Sequence, residues 1–409
     1  EALHKVRHAD EFGIEIKGEI IFSMAKMMER KDKVVGNLVK GIRALFKSHG
    51  VNIVEGRGVI LSPTEVEVTA KDGLKSTIQA DKIIIATGSR PAKMALFPFD
   101  GEKVITSDEA LNLKETPKSV LIVGAGVIGC EFACILNELG SEVTIVEMMD
   151  RAVATEDPEI ASTLERELKK KKIKLISSAK ITKVEKVDGG VTATLEDGKT
   201  ITAEICLVSI GRALNTENIG LEKVGVSQGK RGEITVNERM ETNVPGVYAI
   251  GDVTGKIMLA HVASTQGLVA IENIMGHHRV MNYDVVPAGI FTMPEIGSVG
   301  LREHWAKEKG IDVKIGRFNF RTLGKAQAMG EIAGMVKIIA DAKTDKVLGC
   351  HIIGAHATDI IHEAAVAMQK GMTVKELGET IHSHPTLSEA VMEAAEDLHG
   401  LCIHAPKKS

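Results

Sequence analysis

The sequence predicts an α/β fold, and three observations support that prediction. Residues 119–147 read SVLIVGAGVIGCEFACILNELGSEVTIVE, in which an apolar run, a glycine-rich turn, a helical pattern and a second apolar run follow one another. This order is typical of a parallel strand–helix–strand unit. A further apolar run, Val247–Ile250, ends beside a glycine and an acid. From Asn282 onward strand and helix patterns alternate in a separate segment, so we expect α/β domains followed by a further domain.

The composition excludes several classes of protein. With 409 residues the chain is long enough for two or three domains, and 44% hydrophobic and 26% charged residues are ordinary for a globular protein. A net charge of −4 gives no general attraction to nucleic acid or to an anionic membrane, and 3% aromatic residues are too few for base-stacking platforms. No apolar run approaches the ~20 residues that span a bilayer. We therefore expect neither a nucleic-acid nor a membrane partner.

The cysteines indicate a reducing compartment, because there are only five and the number is odd. Cys130 and Cys134 stand four apart in a helical pattern, which stacks them on one face as two small packed side chains. The N-terminus shows neither a signal core nor a transit pattern, and it lacks an initiator Met. We expect a cytoplasmic location, or the mitochondrial matrix if the source is eukaryotic, and a chain that begins within a longer protein or was processed.

The glycine-rich turn predicts a dinucleotide site. Gly124 would allow the tight turn, Gly126 would let the backbone approach a pyrophosphate, and Gly129 would let the helix pack closely on the strand. The N-terminus of the following helix favours phosphate through its dipole. Glu147, 18 residues beyond Gly129, stands where a carboxylate accepts hydrogen bonds from an adenosine ribose. A carboxylate suits a free 2′-hydroxyl and repels a 2′-phosphate, so NAD is favoured over NADP, with a merely structural glycine turn as the alternative.

Two further strand ends are candidate ligand positions. A strand at 82–86 stops on Thr87-Gly88-Ser89, where small residues would let a ligand approach the backbone. A simple strand exit explains the same residues. The strand Val247–Ile250 delivers Asp252 at its carboxyl end, which is where open α/β sheets place ligands. Asp252 would accept hydrogen bonds from a polyol or, alternatively, cap the next turn.

The remaining elements follow from periodicity and from start and stop signals. Residues 18–50 carry apolar residues at helical spacing, which we expect to face a core, and Gly50 is a natural stop. Asp157-Pro158 predicts a helix start, and the lysines at 169–172 would complement the dipole at its end. Aspartate–glycine pairs at 188–189 and 197–198 predict hairpin turns. Other strands are expected at 51–54, 66–70, 173–176, 181–187, 191–195, 200–205, 206–210, 296–299, 313–319, 335–340 and 347–354, and other helices at 258–275, 357–370, 373–380 and up to 398.

The stretch 381–389 reads IHSHPTLSE and has two interpretations. Structurally, Thr386 and Glu389 match a capping box, in which Glu389 only satisfies backbone donors at the start of the last helix. Functionally, His384 with a carboxylate five residues later forms a general base tuned near neutral pH. A metal site on His382 and His384 lacks nearby third and fourth ligands.

Four pieces of the chain together resemble the class I pyridine-nucleotide disulfide oxidoreductases. They read VGAGVIGCE, ATGS, TNVPGVYAIGD and HSHPTLSE, and PEIGSVG at 294–300 and KVLGCHIIG at 346–354 extend the likeness over about residues 18–398. The resemblance implies two Rossmann-like dinucleotide-binding domains, for FAD and NAD, and a C-terminal α+β dimerisation domain. It would divide the chain into an FAD domain at 1–106 and 242–282, an NAD domain at 107–241 and a dimerisation domain at 283–409.

The resemblance also implies roles for individual residues, none of them metal ligands. His384 would be the catalytic base and Glu389 its orienting carboxylate. The residues implied for the NAD site are Gly124, Ala125, Gly126, Val127, Ile128, Gly129, Glu131, Glu147, Ile181 and Gly211. The residues implied for the FAD site are Gly58, Thr87, Gly88, Ser89, Asp252, Met258, Leu259, Ala260 and His261.

Within this family the likeness is to members that oxidise protein-bound dihydrolipoyl groups and reduce NAD through a redox disulfide and FAD. It implies a homodimer in which the histidine reaches the active site of the partner subunit. It also implies as partner the lipoyl domain of a 2-oxo acid dehydrogenase acyltransferase, or a glycine-cleavage carrier protein. The alternatives are a glutathione-type disulfide reductase and a non-catalytic NAD-binding protein that lacks the redox disulfide.

Two departures from the family pattern bear on this expectation. Family members begin with a first, FAD-binding GxGxxG motif and a CxxxxC redox disulfide, and the sequence contains neither. We therefore expect an N-terminally truncated sequence that starts just after the helix carrying those cysteines. Val262 follows His261 where many relatives carry a lysine, and nothing in the sequence explains that change.

Overall fold

The computed structural model describes residues 1–406, which group into two compact units. The first unit comprises residues 1–22, 93–210 and 283 onward, and the second comprises residues 23–92 and 211–282. The predicted boundaries of the FAD, NAD and dimerisation domains stay a prediction. Among the described residues, no helix is long and apolar enough to cross a membrane.

Helices and strands alternate along much of the chain, as the sequence predicts for an α/β protein. The helices are α1 (Ala2–Arg7), α2 (Met24–Ser48), α3 (Ser107–Ala110), α4 (Val127–Glu138), α5 (Pro158–Lys170), α6 (Leu221–Val224), α7 (Ala260–Ile274), α8 (Glu303–Glu308), α9 (Gly324–Met329), α10 (Ala357–Lys370), α11 (Val374–Gly378) and α12 (Glu389–Leu398). The strands are β1 (Arg57–Ser62), β2 (Glu65–Thr69), β3 (Lys75–Gln79), β4 (Ile83–Ile85), β5 (Ser89–Pro91), β6 (Val104–Ile105), β7 (Ser119–Val123), β8 (Glu142–Val146), β9 (Lys174–Ile176), β10 (Ile181–Val187), β11 (Gly190–Leu195), β12 (Thr200–Ala203), β13 (Ile205–Val208), β14 (Arg212–Leu214), β15 (Val247–Ala249), β16 (Ala288–Ile290), β17 (Glu295–Gly300), β18 (Val313–Asn319), β19 (Met335–Asp341) and β20 (Val347–Gly354).

A five-stranded parallel sheet in the first unit carries the glycine-rich turn. Its strand order is β6-β13-β7-β8-β9. The side chains of Val120, Leu121 and Ile122 on successive positions of β7 are all buried, so both faces of this strand are covered. A parallel strand covered on both faces has to be apolar along its whole length, which is why SVLIV is an unbroken apolar run. The predicted strand–helix–strand unit is therefore confirmed.

The helix α5 begins as the sequence predicts. Asp157 is its N-cap and accepts a hydrogen bond from the N–H of Glu159 at 3.0 Å, and Pro158 occupies the first helical position. The three strands β10, β11 and β12 then form an antiparallel meander. Gly189 and Gly198 adopt positive φ in its two connections, which confirms the predicted hairpin turns.

The C-terminal part of the first unit is built on a second five-stranded sheet. Its order is β16-β17-β20-β19-β18, and all its pairings are antiparallel. The helices α10, α11 and α12 contribute buried apolar residues to one core with this sheet. The result is the α+β arrangement predicted for the C-terminal segment.

The second unit combines small sheets with two long helices. The strands β4 and β15 pair in parallel, β1, β2 and β3 form an antiparallel sheet, and β5 pairs with β14. Parallel pairing of β4 and β15 brings the carboxyl ends of these two strands to one edge. Residues Thr87–Ser89 and Asp252 therefore leave the same edge.

Two predictions for the second unit are wrong. Residues 51–54 do not form a strand, because the pairing with β2 begins only at Arg57 and a strand needs a hydrogen-bonded neighbour. The apolar stripe of α2 does not face a core over most of its length. Met24 is buried, but Leu38, Ile42 and Leu45 are each more than half exposed.

Candidate active site

The glycine turn between β7 and α4 has the geometry of a dinucleotide site. Gly124 has φ +99°, and a Cβ on it would lie 2.6 Å from the carbonyl oxygen of Ser209. A Cβ on Gly129 would overlap the carbonyl oxygen of Gly124, so glycine is required at both positions by packing alone. At Gly126, by contrast, no atom of residues 1–406 lies within 4 Å of a Cβ. That open space above the N-cap of α4 fits the pyrophosphate of a dinucleotide.

Glu147 follows β8 and is held against this turn. One oxygen of its carboxylate accepts a hydrogen bond from the N–H of Ala125 at 2.6 Å. The other accepts one from the N–H of Met149 at 2.7 Å. Each carboxylate oxygen has a second acceptor position, so the group is oriented and still able to bind ribose hydroxyls. Residues 124–129 and Glu147 are thus brought together as predicted.

The other residues implied for the NAD site lie on α4, at the start of β10 and in the second unit. Val127 and Ile128 form the first turn of α4 and pack against the core of the parallel sheet. Glu131, on the same helix, accepts a hydrogen bond from the N–H of Phe291 at 2.9 Å, and its burial raises its pKa. Ile181 is buried at the start of β10. Gly211 belongs to the second unit, where its carbonyl accepts from the N–H of Ala92 at 3.0 Å.

The two cysteines of α4 are packing residues, as the sequence predicts. Cys130 and Cys134 are buried, and all five thiols of the chain are free. Burial raises the pKa of both thiols, which keeps them protonated and unreactive. The Cys130 thiol donates to the carbonyl of Ala125 at 3.3 Å.

In the second unit, Ser89 and Asp252 meet at the predicted edge. The Ser89 hydroxyl donates to one carboxylate oxygen of Asp252 at 2.5 Å. Arg212 completes the group, since its Nε donates to the Ser89 hydroxyl oxygen at 2.6 Å and lies 3.8 Å from Asp252. Arg212 is not among the site residues that the sequence predicts. Its position directly after Gly211, at the end of the strand predicted at 206–210, could have indicated it as a candidate.

The surroundings of this group fit a large polar ligand. Arg212 and Met258 line a cavity of about 550 Å³. Gly88 has φ +68° and open space at its Cβ position, and the Thr87 hydroxyl donates to the carbonyl of Asn215 at 2.7 Å. The remaining residues implied for FAD are Leu259, Ala260 and His261 at the start of α7, and Gly58, which pairs with Val68 in the β1–β2 ladder.

His384 and Glu389 form a histidine–carboxylate pair before α12. The Nδ1 atom of His384 lies 2.9 Å from one oxygen of Glu389. The histidine side chain is 78% exposed, whereas that of Glu389 is 13% exposed. Burial alone would raise the pKa of Glu389, but hydrogen bonds from Thr386 and His384 outweigh it and lower that pKa. Glu389 is therefore a fixed anion beside an accessible imidazole.

The capping-box interpretation is only half right. Glu389 does accept the N–H of Thr386 at 2.8 Å with its second oxygen. However, α12 begins at Glu389 with Ser388 as N-cap, and the Thr386 hydroxyl donates instead to the carbonyl of Ser383 at 2.8 Å. The carboxylate thus anchors the backbone and orients the imidazole with different oxygens.

His382 has a different environment from His384. Its Nε2 atom lies 2.5 Å from Glu363, and its side chain is only 5% exposed. The hydrogen bond to Glu363 raises its pKa. Within residues 1–406, no three His, Cys, Asp or Glu side chains are grouped to hold a metal ion.

The fold and these sites together define an oxidoreductase that binds dinucleotides. The chain belongs to the family described as pyridine nucleotide-disulphide oxidoreductase, which matches residues 3–267, and the dimerisation domain of that family matches residues 286–395. The predicted fold class, enzyme class and cofactor pair, FAD and NAD, are thereby confirmed at the level of the family.

Individual relatives agree with this assignment. The dihydrolipoyl dehydrogenase of Chlamydia trachomatis is 42% identical over 97% of this chain and 84% of its own length. That of Bacillus subtilis is 43% identical over 99% of this chain and 88% of its own length. The crystal structure of LpdA from Mycobacterium tuberculosis superposes with a TM-score of 0.91 at 30% identity and covers 97% of this chain and 87% of that chain.

Proposed function

We propose that this chain acts as a dihydrolipoyl dehydrogenase, which oxidises protein-bound dihydrolipoyl groups and reduces NAD. The observation that carries the proposal is the His384–Glu389 pair, an exposed imidazole fixed by a buried carboxylate. Identities of 42% and 43% to proteins of that name support it.

His384 is the proton acceptor in this proposal. Because its Nδ1 faces the Glu389 carboxylate, the neutral ring carries its proton on Nδ1 and presents Nε2 as a base. Nε2 takes the proton of a dihydrolipoyl thiol, and the resulting thiolate is the nucleophile that attacks a disulfide sulfur. The attack forms a mixed disulfide and breaks the original S–S bond, and Glu389 stabilises the imidazolium until it gives its proton to the released thiolate. None of the five cysteines has C-x4-C spacing, so the proposal requires a redox disulfide from outside this sequence.

The two dinucleotide sites are assigned to separate units. The glycine turn and Glu147 would hold NAD, and Ser89, Asp252 and the start of α7 would hold FAD. When bound, FAD and NAD supply the two-electron redox chemistry that the side chains lack. The protein's part is to position these groups and to exclude a 2′-phosphate beside Glu147.

We further propose a homodimer as the working form, with a lipoyl domain as the substrate carrier. The dimerisation domain supports the first part. The lipoyl domain would belong to a 2-oxo acid dehydrogenase acyltransferase or be a glycine-cleavage carrier. A cytoplasmic or mitochondrial-matrix location goes with these partners.

The test is the substrate and cofactor preference of protein expressed from the complete reading frame. With dihydrolipoamide, we expect kcat/KM for NAD to exceed that for NADP by at least about a hundredfold, because Glu147 repels a 2′-phosphate. Glutathione disulfide with NADPH serves as the control reaction and is expected to be negligible. Equal values for NAD and NADP would contradict the role of Glu147. A start codon immediately before Glu1, with no C-x4-C motif upstream, would instead favour the non-catalytic NAD-binding alternative.

A further inference from the structure

A group of ions links α5 to the C-terminal sheet of the first unit and has no part in the chemistry above. We call it the ion cluster; its members are Glu156, Asp157, Glu159, Arg302, Glu303, Arg317 and Lys337. The Nζ atom of Lys337 lies 2.9 Å from Asp157 and 2.7 Å from Glu303. The side chains of Lys337 and Asp157 are 1% and 0% exposed.

Lys337 and Asp157 stay charged although they are buried. Burial by itself would lower the pKa of Lys337, but its bonds to Glu303 and Asp157 raise that pKa. Burial would likewise raise the pKa of Asp157, but Lys337 lowers it. Next to Lys337 on the sheet, His351 is fully buried and donates from Nε2 to the carbonyl of Leu301 at 2.9 Å. Removing one partner of such a group leaves an uncompensated charge in the interior.

The segment before α5 connects the ion cluster with the glycine turn. Val153 donates its N–H to the carbonyl of Ala125, in the middle of that turn, at 2.8 Å. The carbonyl of Val153 accepts the N–H of Glu156 at 2.7 Å, and Glu156 is paired with Arg302 at 3.1 Å. A short chain of bonds thus runs from Arg302 to Ala125.

Val153 adopts a conformation that it would not hold unaided. Its φ is +40°, which is a strained value for a β-branched residue, and it is buried. Such strain persists only where the surrounding contacts impose it. The contacts that follow it along the chain are a hydrogen bond from Arg151 to the carbonyl of Ala154 at 3.0 Å and then the ion pairs of Glu156 and Asp157.

We propose that Lys337 and Arg302 are positioning residues for the NAD site, which act through Val153. By fixing Asp157 and Glu156 they hold Val153 in its strained conformation, and its N–H then orients the Ala125 peptide. The preceding peptide group is held by Glu147, which accepts the N–H of Ala125. Ala125 is therefore held from two sides, by Glu147 through its N–H and by Val153, which the ion cluster positions, through its carbonyl. This inference rests on the proposed binding of NAD at the turn.

The test is NADH affinity, measured by fluorescence titration of the purified chain well below its melting temperature. We expect Lys337→Met to weaken NADH binding by about fivefold or more, a range usual for coupling through packed contacts. Lys337→Arg keeps the charge and is expected to restore binding. The matched control is Arg317→Met, which also breaks ion pairs of the cluster but none with residues 156 and 157. It is expected to change NADH affinity less than about twofold although it lowers stability.

A double-mutant cycle separates positioning from a general loss of stability. Val153→Gly removes the strain and keeps the N–H, so the turn no longer depends on the ion cluster. In the Val153→Gly background, Lys337→Met is expected to have little effect on NADH affinity. Equal losses in both backgrounds, or no loss in either, would overturn the inference. If Lys337→Met does not fold, Glu156→Gln carries the same expectation, and wild-type protein that binds no NADH would overturn the proposed function itself.

Discussion

Replacing His384 by glutamine is expected to lower dihydrolipoyl-dependent reduction of NAD by at least about a hundredfold, the usual contribution of a positioned general base. Glutamine resembles the imidazole in polarity but cannot take a proton from a thiol. Glu389 keeps its bond to the N–H of Thr386, so the start of α12 is expected to survive the change. The measurement is kcat with dihydrolipoamide in protein from the complete reading frame, together with the flavin absorption spectrum, which should not change.

The control for this variant is His399→Gln. His399 also pairs with a carboxylate, since its Nε2 atom lies 3.2 Å from Asp345, but it follows the opposite end of α12. We expect its turnover to match that of the wild type. Unchanged turnover in His384→Gln would contradict the catalytic role and leave Glu389 with only its backbone-anchoring contact.

Replacing Gly126 by alanine is expected to weaken NADH binding by about tenfold or more without lowering the melting temperature. The added methyl group enters space that the protein leaves open but that the backbone approach of a pyrophosphate requires. The φ of Gly126 is −70°, which alanine adopts freely, so the substitution is not expected to lower the free energy of unfolding. NADH titration and thermal unfolding of the same preparation measure the two quantities.

A matched glycine elsewhere in the first unit provides the comparison. Gly324 begins α9, and a Cβ on it would also meet no atom of residues 1–406 within 4 Å. Gly324→Ala is expected to bind NADH as the wild type does. Equal NADH affinity for Gly126→Ala and the wild type would show that the open space at this turn does not receive the dinucleotide.

The sequence predicts the glycine turn well because its signals are local. The apolar run of β7, the glycines and Glu147 lie within 29 residues, and each position is constrained by backbone geometry. The capping-box pattern fails for a local reason too, because the N-cap of the last helix is Ser388, two residues beyond Thr386. The contacts of Glu389 fit both interpretations, since one carboxylate oxygen meets His384 and the other accepts the N–H of Thr386, and the catalytic role stays a prediction.

The features that could not be predicted depend on residues far apart in the chain. Arg212 reaches Ser89 across 123 positions, and Lys337 reaches Asp157 across 180. Asp157 was predicted as an N-cap, and nothing in its surroundings along the chain indicates an ion pair. Residues 51–54 were assigned to a strand because strand propensity says nothing about whether a neighbouring strand is available.

The fully buried His351 makes the first unit sensitive to acid. Burial, aided by the positive charge of Arg302, lowers its pKa to about 4 from an unfolded value of 6.5. Between these values the unfolded chain binds a proton that the folded chain refuses, so stability falls as the pH falls from 6.5 to 4. The loss is on the order of 3 kcal/mol at the lower limit. Urea unfolding followed from pH 7.5 down to pH 4.5 should show this slope, and His351→Gln should flatten it. Mild acidification would therefore destabilise the first unit through a residue that takes no part in catalysis.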